Sequence, residues 1–76
     1  MVEEKLKKIF YDALEIEADE IKPDAQLAAS LGIDSTELVE LTVAIKKGFN
    51  LDIPTNTFKK TQSFNEIIAF LKTKGV

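Results

Sequence analysis

The sequence predicts an all-α fold: a small four-helix bundle of three longer helices and one short one, with a long loop between the first and second helices. Three observations carry this prediction. Apolar residues recur at helical spacing in three separate stretches, two of those stretches open on a cap residue followed three positions later by glutamate, and no stretch alternates convincingly as a strand. The chain of 76 residues is expected to form one domain, 1–76, near the lower size at which a single core suffices.

The first helix is read over residues 3–15. Val2, Leu6, Ile9, Phe10, Ala13 and Leu14 fall on one face and Lys5, Lys7, Lys8 and Asp12 on the other, with Glu3 and Glu4 in the first turn where the helix dipole favours acids. Residues 16–33 lack sustained periodicity and read as a long loop, pinned by Ile16, Ile21, Leu27 and Leu31 and turned at Lys22-Pro23-Asp24. Its acids, Glu15, Glu17, Asp19, Glu20 and Asp24, fit no EF-hand spacing. A solvated acidic edge is preferred to a divalent-cation site.

The second helix is expected from Ser35 to about Gly48. Asp34 is a favoured N-cap, Glu37 completes a capping box, and Ile33 and Leu38 occupy the two positions of a hydrophobic staple. Gly32 provides a joint for the incoming chain. Ser35 is therefore the first helical residue, where unpaired N–H groups and the positive end of the dipole favour a bound phosphate. Leu38, Leu41, Ile45 and Phe49 form a core stripe. Thr36, Val39 and Val43 form a second stripe, bordered by Glu40 and Lys47 on one side and Lys46 on the other, which reads as a partner surface. Thr55 to Lys60 is expected to make a short helical turn with Phe58 buried. Ser63 and Glu66 then open a final helix with Phe64, Ile67, Ile68 and Leu71 on its inner face.

Composition excludes several function classes. The chain has no cysteine and no histidine, so disulfides, Ser-His or Cys-His catalysis and the common soft-metal sites are ruled out. Ten lysines without arginine, at a net charge of −3, argue against nucleic acid. No apolar run approaches a membrane span, and residues 1–4 lack a signal-peptide pattern, so a cytoplasmic protein is expected.

Leu31-Gly32-Ile33-Asp34-Ser35, followed by Val39-Glu40-Leu41 and by Phe49 with Ile53-Pro54, resembles the acyl carrier proteins over essentially the whole chain. The resemblance implies a non-catalytic carrier. Ser35 would bear 4′-phosphopantetheine, donated from coenzyme A by a phosphopantetheinyl transferase, and the arm's thiol would hold an acyl group for fatty-acid, lipid or polyketide synthesis. Asp34 would position the serine and help transferase recognition. Thr36, Glu37, Val39, Glu40, Val43 and Lys47 would face acyl-transfer and synthase enzymes with basic surfaces, and the carrier would act as a monomer. Phe58 and Thr61 would border the acyl pocket.

The sequence also departs from the family pattern. Thr36 replaces a usual leucine, Lys46-Lys47-Gly48 replaces a commonly acidic run, and Phe58 and Thr61 stand where smaller and aliphatic residues are usual. These departures point to a specialised carrier of short, polar or externally held cargo. Two other readings stay open: a discrete aminoacyl or peptidyl carrier, and an unmodified helical adaptor that uses Ser35 only to start a helix.

Overall fold

The computed structural model describes residues 2–76. Helix α1 covers Val2–Leu14, α2 Leu27–Leu31, α3 Ser35–Phe49 and α4 Phe64–Thr73, and a 3₁₀ turn lies at Ala18–Glu20. Among the described residues no strand forms, and one isolated antiparallel bridge joins Gln26 to Ser63. Three longer helices and one short one match the expected class. The short helix, however, is not where the sequence placed it.

Residues 55–60 form turns rather than helix, closed by the Thr57 N–H to the Pro54 carbonyl at 3.1 Å and the Gln62 N–H to the Lys59 carbonyl at 3.0 Å. The short helix α2 sits inside the expected loop instead. It opens at Gln26, whose side chain makes no cap bond. The Leu27 and Ala28 N–H groups donate to the carbonyls of Gln62 at 2.9 Å and Lys60 at 3.1 Å. A distant stretch of backbone thus satisfies the orphan donors that a local cap would otherwise take. The same segment is clipped to α4, where the Asn65 N–H reaches the Pro23 carbonyl at 3.0 Å and Asn65 Nδ2 donates to Asp24 Oδ1 at 2.7 Å. Lys22-Pro23-Asp24 makes the expected turn, closed by the Ala25 N–H to the Lys22 carbonyl at 3.1 Å.

Helix α1 packs against both α3 and α4. Leu6 and Phe10 meet Leu41 and Ile45 from α3 and Ile67 and Leu71 from α4 in a fully buried core. Phe10 sets its ring edge-on to Phe64, with centroids 5.5 Å apart, a favoured aromatic geometry. Gly48 allows α3 to approach α1 closely, since a Cβ at that position would come within 2.6 Å of Ile9 Cδ1. Thr42 is fully buried on the apolar stripe, which a polar residue tolerates because its Oγ1 donates to the Leu38 carbonyl at 2.8 Å.

Three of the helices end on left-handed residues. Glu15 (φ 58°) closes α1 and Asn50 (φ 54°) closes α3. Gly32 (φ 68°) ends α2 and donates its N–H to the Ala28 carbonyl at 3.0 Å. It is the joint expected from the sequence: the chain turns there and meets the start of α3 three residues later.

Candidate modification site at the start of the central helix

Asp34 has extended backbone (φ −94°), and its Oδ1 accepts the Glu37 N–H at 2.8 Å. Glu37 Oε1 in turn accepts the Asp34 N–H at 3.2 Å, completing the capping box. Ile33 and Leu38, the staple pair, are both buried. The Leu38 N–H returns to the Asp34 carbonyl at 2.9 Å. Among the described residues, the N–H groups of Ser35 and Thr36 then have no protein acceptor.

Ser35 is exposed, and its hydroxyl makes no hydrogen bond to a described residue. The oxygen stands in water at the positive end of a 15-residue helix, beside two uncommitted donors. A phosphate ester is electrostatically favoured at such a place. Nothing beside the hydroxyl activates it. The neighbouring carboxylates of Asp34 and Glu37 are each engaged in the cap, and the chain contains no histidine.

The second stripe lies on the outer side of α3. Thr36 and Val39 are exposed, Val39 at 47%, while Val43 is half-buried and outside the core cluster. Glu40 and Lys47 are exposed beside them. Glu37 is half-buried with one carboxylate oxygen committed to the cap, so only its other oxygen faces a visitor.

An open groove of about 350 Å³ begins at Ser35. Leu38 and Phe58, both buried, floor it, and Val39 forms one rim. Thr55, Asn56, Lys59 and Lys60 form the other rim. Phe58 is 2% exposed and stacks edge-on against Phe70, with centroids 5.2 Å apart, filling the space behind the groove. Thr61 is exposed and lies outside the groove lining. Sequence reasoning singled out Phe58 but missed the two lysines that follow it. No local signal marks them, since only the fold brings them to the groove that begins at Ser35. A larger groove of about 530 Å³ is bounded by Val2, Lys5, Phe49, Lys72 and Val76 and contains none of the residues singled out for function.

Acids of residues 15–24 accept one bond from the backbone and one from a side chain. Glu20 Oε1 accepts the Glu17 N–H at 3.0 Å, and Asp24 holds Asn65. Among the described residues no group of three or more acids converges as a metal site. No helix there is long and apolar enough to cross a membrane.

Fold and site together define a small helical domain that exposes the Ser35 hydroxyl at the start of its central helix. Comparison with known proteins agrees. Residues 4–71 match the family described as "Phosphopantetheine attachment site". The chain is 38% identical over 73 residues to an acyl carrier protein of Nitratidesulfovibrio vulgaris (strain Miyazaki F), covering 96% of each chain. It is 34% identical over 71 residues to that of Akkermansia muciniphila, covering 93% of this chain and 89% of the relative. The acyl carrier protein of Syntrophus aciditrophicus is 36% identical over 75 residues, covering 99% and 94%. The chain belongs to the phosphopantetheine-bearing acyl carrier family. Members are non-catalytic carriers, and membership implies a phosphopantetheinyl transferase and synthase enzymes as partners.

Proposed function

We propose that Ser35 carries the phosphopantetheine arm and that the protein is a specialised acyl carrier, acting as a cytoplasmic monomer in fatty-acid, lipid or polyketide synthesis. The observation that supports this best is the exposed Ser35 hydroxyl, with no partner of its own, beside the uncommitted N–H groups of Ser35 and Thr36. When bound, the arm supplies a thiol that holds an acyl group as a reactive thioester. The protein's residues do the positioning. Asp34 and Glu37 fix the first turn of α3, so the hydroxyl is presented in one orientation to a transferase. The helix start then favours the phosphodiester's negative charge.

Partner enzymes are read as docking on the outer face of α3. Val39, Val43 and Thr36 would supply a small apolar contact, and Glu40 with the free oxygen of Glu37 would steer a basic surface. Lys47, at the far end of that face, would weaken binding to a partner that reads an all-acidic helix. The specialised role rests on this charge change, on polar Thr36, and on Phe58 occupying the interior.

Incubation of the apo protein with coenzyme A and a broad-specificity phosphopantetheinyl transferase tests the reading. The intact mass should rise by one phosphopantetheine, and Ser35→Ala should abolish the gain. An unchanged mass would remove the carrier reading at this residue. Loading assays with acyl-carrier and aminoacyl ligases then separate acyl from aminoacyl cargo.

A further inference from the structure

The end of the molecule opposite Ser35 carries a charge that the helix ends alone do not account for. There α1 begins while α3 and α4 finish, and Phe49, the last residue of α3, stands roughly 21 Å along the helix axis from Ser35. Lys46 and Lys47 lie in the last turn of α3 and Lys72 in that of α4, where cations complement the dipole. Lys5 does not fit that account. It sits near the start of α1, where the dipole opposes a cation, and its Nζ is instead held 5.1 Å over the centroid of the Phe49 ring. None of these lysines is in an ion pair; the one ion pair among the described residues joins Lys8 to Asp12. The acids on the same segments are Glu3, Glu4 and Asp52, fewer than the lysines, in a chain whose net charge is −3.

Between Lys5 and Lys72 lies the larger groove, of about 530 Å³. Val2, Phe49 and Val76 give it an apolar wall, and Glu3 also lines it. Val2 and Phe49 are only half-buried, and Val76 is exposed. An open groove with an apolar wall between two ammonium groups fits one kind of visitor, an apolar side chain with a carboxylate on either side of it. We propose that this end docks an acidic segment of a partner protein, which sets a leucine or phenylalanine against Phe49 and Val2 and carboxylates on Lys5 and Lys72. The lysines steer the encounter and the groove supplies the contact. A bilayer is a poorer match, since the apolar surface is recessed rather than raised and the rest of the chain is acidic. The inference does not depend on Ser35 bearing the arm. A protein held at this end leaves the start of α3 open.

The test titrates the full ¹⁵N-labelled chain with a capped peptide in which the block Glu-Glu-Leu-Phe-Glu-Glu occurs twice. Two control peptides replace its glutamates by glutamine or its leucine and phenylalanine by serine. The acidic apolar peptide is expected to shift the amides of Lys5, Phe49 and Lys72 to saturation, leaving Ser35, Lys59 and Lys60 unmoved, and to lose affinity as salt is raised. K5Q/K72Q should weaken it roughly tenfold and K5R/K72R should retain it, with the core methyl signals of both variants unchanged. K59Q/K60Q should bind as wild type does. Equal shifts at Lys59 and Lys60 would overturn the proposal by showing a general attraction of peptide to lysine. Equal binding of the serine peptide would do so by showing that the groove takes no side chain. Absence of saturation at millimolar peptide would also overturn it. So would tighter association of the chain with phosphatidylglycerol vesicles than with the peptide, lost in K5Q/K72Q, which would assign this end to a lipid surface.

Discussion

Replacing Phe58 by leucine tests whether that ring closes the interior to cargo. Phe58 is 2% exposed and stacks edge-on against Phe70 at 5.2 Å between centroids. Leucine retains an apolar side chain but loses the stack, which contributes about 0.5–1.5 kcal/mol beyond its area. It also removes buried surface equivalent to roughly one methylene, about 0.8 kcal/mol. The sum is about 2 kcal/mol, a large share of the stability of a domain this small. At about 4–8 °C per kcal/mol for a chain of this size, the melting temperature should fall by roughly 8–16 °C. Alanine would cost about 3–5 kcal/mol and endanger folding, so leucine is the usable change. The functional half of the prediction uses the same melting curves, followed by circular dichroism, on protein loaded with an octanoyl arm. The wild-type interior is filled, so the octanoyl group should raise its melting temperature little over that of the unacylated arm. In Phe58→Leu the chain can enter the space vacated by the ring and should restore part of the lost stability. Equal stabilisation of wild type and variant by the octanoyl group would refute the idea that Phe58 keeps cargo outside.

Other outcomes follow from the same packing. Leu41→Ala, at a fully buried position on α3, should cost about 2–5 kcal/mol in urea unfolding, and a loss below 1 kcal/mol would contradict its place in the core. Glu15→Gly should stabilise by about 1 kcal/mol, because Glu15 holds φ 58° and its carboxylate opposes the C-terminal dipole of α1. Glu15→Gln, which relieves only the charge, should gain less; a Gly variant no more stable than wild type would show that the backbone there is unstrained. Val39→Asp, at a side chain 47% exposed, should leave unfolding within about 0.5 kcal/mol of wild type while slowing modification or acyl transfer by partner enzymes. Unchanged partner kinetics would move the docking surface off this face.

Much of the architecture was readable because its signals are local. The capping boxes of Asp34 with Glu37 and of Ser63 with Glu66 each lie within four residues, and both form as expected. Helix α2 escaped because its opening N–H groups bond to the carbonyls of Lys60 and Gln62, a pairing that exists only after the chain has folded. The same long-range pairing employs the carbonyls of residues 60–62, where a short helix had been expected just upstream. Thr42 falls in neither of the stripes read from the spacing, yet it is fully buried, because its Oγ1 donates to the Leu38 carbonyl one turn back. At the site, Ser35 was legible from its cap. The cationic rim was not, since only the fold brings Lys59 and Lys60 to the groove that starts at Ser35. Thr61, one residue further on, lies outside that groove, so a one-residue step separates a lining position from an exposed one.

Thr36 offers a second exposed hydroxyl at the same helix start, so the most direct measurement is residue-level localisation of the arm. The loaded protein is digested, and fragment ions are read across the peptide that contains Ser30, Ser35, Thr36 and Thr42. The phosphopantetheine mass should reside on Ser35 alone. Its appearance on Thr36, or its spread over several hydroxyls, would contradict the claim that Asp34 and Glu37 single out one oxygen for the tether.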